Sequence, residues 1–178
     1  GSRGQGGETL NPRFFKTAAE LRRWFAANHG TATELLIGFY KKASGKPGIL
    51  AFENGYHGLT LGSLAAGGRE TFRAPFAAHL HGHTRLLAFG APASTLERAL
   101  ARGAIGCVVV EPIQGRAGVV LPPSGWLAEL AALSRRHGAL LVVDEILTGG
   151  GRTGPFFACT DEGVEPEVLV EDPDRRRL

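Results

Sequence analysis

The chain has 178 residues, 43% of them apolar, with a net charge of +3. That suffices for one domain with a sizeable core and excludes wholesale disorder. The positive charge is scattered, with three arginines gathered only at Arg175, Arg176 and Arg177, so no basic face marks a nucleic-acid binder. No apolar run reaches the length of a membrane span.

Residues 1–12 are glycine-rich and polar and read as a disordered or scar-like segment. A helix is expected over 17–27, with Leu21, Trp24 and Phe25 on one face. Asn28-His29-Gly30-Thr31 forms a turn that opens a second helical segment over 34–43, closed by Ser44-Gly45-Lys46-Pro47-Gly48. Residues 48–52 read as a short buried strand, 54–58 as a loop and 59–66 as a short helix. Residues 67–83 show little periodicity and resemble a long surface excursion. Strands are expected over 84–89, 105–111, 139–144 and 168–170, and helices over 94–101 and 124–137. Ser94 and Ser124 are the candidate N-caps. Strands alternating with helices argue α/β with a mostly parallel sheet. The domain is expected to span 13–170, with 171–178 as a charged tail. The lack of any methionine and the abrupt ends suggest a truncated chain. Cys107 and Cys159 make no disulfide framework, and a cytoplasmic protein is expected.

Several residues invite chemistry. Asp144 ends an apolar run, where a carboxylate is costly unless paired. A protonated ring nitrogen would repay it; the alternatives are a cap on the turn over 148–151 or a pair with Arg152. Gly30 and Thr31 precede a helical segment, whose amides form a natural phosphate cradle; an ordinary capped helix start fits as well. Tyr56, with His57 beside it, could lie on a planar cofactor or simply fill the loop's underside. Glu111 is held extended by Pro112 and could meet a substrate amine or guanidinium, or pair with Arg116. His79, His81 and His83 alternate as zinc ligands on a strand would, but the segment reads as loop. A solvated cluster is expected and no metal site.

Four stretches together resemble the class III aminotransferases of the ornithine, acetylornithine and ω-amino acid type. They are Phe25-Ala26-Ala27-Asn28-His29-Gly30-Thr31, the run from Pro47 to Gly58, Glu111-Pro112-Ile113-Gln114-Gly115, and the run from Asp144 to Gly154. The resemblance implies pyridoxal 5'-phosphate as cofactor and part of the large domain of fold type I, a three-layer αβα sandwich. It implies amino transfer from an amine or amino acid donor to a 2-oxo acid acceptor, and a homodimer in the parent family. By the same resemblance, Gly30 and Thr31 bind the phosphate, and Tyr56 stacks on the cofactor ring with His57 beside it. Asp144 pairs with the pyridinium nitrogen and Glu111 lies on the substrate side.

The sequence departs from the family at two chemically weighty places. Leu147 stands where the family has a glutamine that bonds the cofactor's phenolic oxygen. Pro173 stands at the position of the Schiff-base lysine, and no lysine follows Lys46. No catalytic residue is therefore assigned, and the chain alone is expected not to transaminate. A non-catalytic interaction or regulatory module built on the enzyme fold is the alternative; a metal-dependent hydrolase using the histidine triplet is a third reading.

Overall fold

A computed structural model describes Arg23, residues 44–80 and residues 82–171. The segments 17–27 (Arg23 aside) and 34–43, with Gly30, Thr31, His81 and Pro173, lie outside the described residues.

Five strands form one sheet: β1 (Gly48–Phe52), β2 (Thr84–Leu87), β3 (Ile105–Val110), β4 (Leu140–Asp144) and β5 (Val168–Val170). Their order is β2-β1-β3-β4-β5, and every pairing is parallel. The strands are runs of β-branched and aliphatic residues, which suits a sheet buried on both faces. Among the described residues, α1 (Leu61–Ala66), α2 (Glu70–Arg73), α3 (Ala93–Leu100) and α4 (Trp126–Arg136) accompany them, with 3₁₀ turns that include Ala74–His79.

Alternation along the strands sorts the side chains by face. Leu50, Phe52, Val108, Val110, Leu141 and Val143 share the main core with Leu96, Ala99 and Leu100 of α3 and Trp126, Leu127 and Leu130 of α4. Trp126 sits at the centre of this layer. Its ring meets Phe52 edge-on at 5.0 Å and Phe89 at 5.1 Å, and its Nε1–H donates to the Ala91 carbonyl at 2.8 Å. Cys107, Val142 and Val168 form a smaller cluster, with Val109 and Val170 against it. Burial pushes the Cys107 thiol up to about 12.

The helices start differently from their sequence signals. Ser124 does not cap α4. Gly125 takes the cap position with φ of 77°, and Glu162 reaches across to accept the Gly125 and Ala128 amides at 3.1 and 3.0 Å. Ser94 lies inside α3, whose N-cap is Pro92 without a side-chain bond. The expected excursion over 67–83 contains α2 and the 3₁₀ turn, both without a buried residue, which is why no core-facing periodicity marks them.

Candidate active site at the carboxyl ends of the strands

From β1 the chain steps outward to β2, then returns to place β3 on the other side of β1. In such a sheet the crevice beyond the carboxyl ends, where the strand order reverses, is the natural ligand position. The loop after β1 carries Tyr56 and His57, β3 delivers Glu111, and β4 ends on Asp144.

These residues are bonded to one another. The Tyr56 amide donates to Glu111 Oε1 at 2.8 Å. His57 Nδ1 and Asp144 Oδ2 are 2.8 Å apart, and the second oxygen of Asp144 accepts the Ile146 amide at 3.2 Å. Asp144 is buried, with 8% of its surface exposed. Glu111 is buried too; burial raises its pKa above the ordinary carboxylate value, while the Tyr56 amide and the nearby His57 pull the other way. Gln114 ties the two loops together, its Nε2 donating to the Glu53 carbonyl at 2.8 Å. The backbone of Gly68 packs against the same loop, donating to Gly55 O and accepting from Asn54. A Cβ on Gly68 would overlap the Phe52 carbonyl, so this wall needs glycine.

Two pairings weighed from sequence are not formed. Arg116 does not pair with Glu111; its guanidinium lies over the Tyr56 ring, 4.3 Å from the centroid. Arg152 does not reach Asp144; it donates to the Ile146 and Leu147 carbonyls, both at 3.1 Å. The turn after β4 is held instead by Glu145. That residue is 1% exposed, takes the Thr148 hydroxyl and the Cys159 amide on its two oxygens, and offers its carbonyl to the Gly149 amide. Burial, followed by the neighbouring Glu145 charge, pushes the Cys159 thiol up to about 12. Leu147 projects from this turn, 42% exposed, and a Cβ on Gly115 would meet its Cδ1. Among the described residues no cluster of three metal-ligating side chains occurs; His79 ends the 3₁₀ turn and His83 precedes β2.

Sequence reasoning missed the His57–Asp144 contact, the Glu145 network and the Arg116 stack. The first had a signal, since both residues follow strand ends of one parallel sheet. The other two had none: Asp144 and Glu145 are equivalent in composition, and only the end of β4 separates their surroundings.

A parallel α/β sheet with carboxylates at two strand ends and an aromatic loop at the switch point defines an α/β fold with a ligand crevice at its carboxyl edge. The chain belongs to the class-III aminotransferases: the family model matches residues 15–171. It is 43% identical over 151 residues to the aminotransferase PigE of Serratia sp. (strain ATCC 39006), a match covering 84% of this chain and 18% of that protein. The ornithine aminotransferase of Toxoplasma gondii superposes with a TM-score of 0.66 and 27% identity, over 86% of this chain and 33% of the other. An (S)-enantioselective ω-transaminase from Thermomicrobium roseum gives 0.68 and 30%, over 74% and 34%. The chain thus spans less than a fifth of PigE and about a third of these enzymes, and its fold is that of their fold type I large domain.

Proposed function

We propose that this chain forms the cofactor-ring side of a pyridoxal 5'-phosphate site in a class-III aminotransferase. The parent reaction moves an amino group from an amine or amino acid to a 2-oxo acid. The observation that carries this reading is Asp144: a buried carboxylate at a strand end, held by one donor on each oxygen, with acceptor capacity left over. That donor set fits a ring nitrogen bearing a proton. The Toxoplasma gondii relative is described with partial occupancy of this cofactor at its active site.

When bound, pyridoxal phosphate supplies the electron sink that takes up and returns the amino group. Asp144 holds the proton on the ring nitrogen. His57, donating through Nδ1, and the Ile146 amide fix the direction of that carboxylate, much as outer partners orient metal ligands. Tyr56 offers a ring for stacking, and Glu111, pinned by the Tyr56 amide, faces the substrate side. Gly30 and Thr31 are assigned the phosphate by family resemblance.

Among the described residues, none near Asp144 supplies the amine that would attach the cofactor. Lys46 is the sole lysine among the described residues, and its Nζ donates to the carbonyls of His137 and Gly138. It thus sits before β1 and β4, at the amino ends of the strands, and contacts the chain six residues before Asp144, about 20 Å away at a strand's rise per residue. The chain alone is therefore assigned cofactor binding without turnover. A non-catalytic interaction module is the second reading that the same observation favours. Cytoplasmic location and a homodimer remain part of the proposal.

Tryptophan quenching on titration with pyridoxal phosphate tests the cofactor reading. Saturable binding is expected, and Asp144→Ala should weaken it about 10- to 100-fold, the loss of one charge-assisted hydrogen bond. Equal binding by both proteins would sink it. Saturable capture of a protein partner with no cofactor uptake would favour the interaction module. A stable long-wavelength absorption band discharged by an added amine donor would overturn the assignment of no turnover.

A further inference from the structure

The turn over Gly115–Ala117 is pinned at its base, where Gln114 bridges Val120 antiparallel. It carries Arg116 back over the loop after β1. Four side chains form a continuous row of contacts there. The Arg116 guanidinium covers the Tyr56 ring at 4.3 Å, Tyr56 meets Phe72 at 5.8 Å, and the Arg69 guanidinium lies 5.6 Å from the Phe72 centroid. Arg69 Nη1 also donates to the Arg116 carbonyl, so the second cation braces the turn that presents the first. Among the described residues, neither arginine has a carboxylate within ion-pair distance.

A guanidinium held over a ring face can keep N–H groups free, and these match the two oxygens of a carboxylate. Stacking also fixes the long side chain beforehand, so less rotamer freedom is lost when an anion arrives. Arg116 is exposed at the switch-point crevice, on the residue whose amide holds Glu111. We propose that Arg116, braced by Arg69, is the residue that recognises the carboxylate of the substrate, selecting 2-oxo acids and amino acids over simple amines and carbonyl compounds. This rests on the proposed function, since it takes the Tyr56 crevice as the substrate side.

The test compares pyruvate with pyruvamide, which share a shape and differ in charge, by calorimetric or saturation-transfer titration of the full chain. Pyruvate should bind at least about 10-fold more tightly than pyruvamide, the scale of a charge-assisted pair. Arg116→Gln should erase that preference in a variant that still melts cooperatively. Arg116→Lys keeps the charge without the fork, and should retain part of the preference. A preference for pyruvate undiminished in Arg116→Gln overturns the proposal, as does equal binding of the two probes to the wild type. The probe ratio bears on Arg116 alone and the Asp144→Ala quenching experiment on the cofactor alone, so either reading can fail without the other.

Discussion

At the amino ends of the strands, polar groups close on one another. The Lys46 ammonium rests on the last carbonyls after α4, Glu167 accepts the Leu141 amide at 2.8 Å, and His137 meets Glu97 at 2.8 Å. At the carboxyl ends, Asp144 and Glu111 are held in place but keep acceptor capacity, and the Arg116 guanidinium meets no anion among the described residues. The contrast runs down to adjacent residues. Glu145 uses both carboxylate oxygens within the chain and builds the turn, whereas Asp144, one position earlier, is oriented and left receptive. Saturated polar groups make structure; oriented groups with spare valence make a site.

The comparison breaks most sharply at Glu145. Replacing it with alanine strands the Thr148 hydroxyl and the Cys159 amide in a buried place. We expect a loss of about 3 kcal/mol, the range for orphaned buried partners of a charged group, read from urea denaturation. Cofactor quenching should weaken as well, because the Ile146 amide that orients Asp144 belongs to the same turn. A stability loss within ~0.5 kcal/mol would show that the network is incidental.

This pair of neighbours also shows what could be read beforehand. β1 and β5 fall where their apolar runs place them, and β2, β3 and β4 end within one or two residues of expectation. The period-two pattern and the bounding glycines and prolines are local signals. Asp144 was legible because it terminates such a run. Glu145 and Arg116 were not, because the Cys159 amide that holds the first and the Tyr56 ring under the second come from other loops. Glu162 capping α4 is the same case: Ser124 offers the local cap, and a carboxylate 37 residues away from Gly125 takes the role. Local chemistry lays out the sheet, while tertiary contact decides which polar groups remain receptive.

The amino-end edge gives a smaller effect of purely structural kind. Lys46→Met removes a cation from the C-terminal carbonyls that follow α4, where a positive charge opposes the helix dipole. A cost of about 1 kcal/mol is expected, with pyridoxal phosphate quenching unaltered. Loss of quenching in this variant would place Lys46 in the site and erase the distinction between the two edges.

The finest test is Glu111, because its effect appears as a slope rather than a loss. Burial raises its pKa in the folded chain above the ordinary value of 4.5. The neutral acid is thus the form that folding favours. The sign follows from linkage: the stabilisation is complete below about pH 4.5 and is lost as pH rises through the folded value. Glu111→Gln is neutral at every pH and keeps an oxygen for the Tyr56 amide. Its stability relative to the wild type should therefore rise with pH across that window and level off above it. Chemical denaturation at stepped pH reads this directly. A difference that stays constant would mean that the Tyr56 amide and His57 balance burial, and one that runs the other way would mean that they outweigh it.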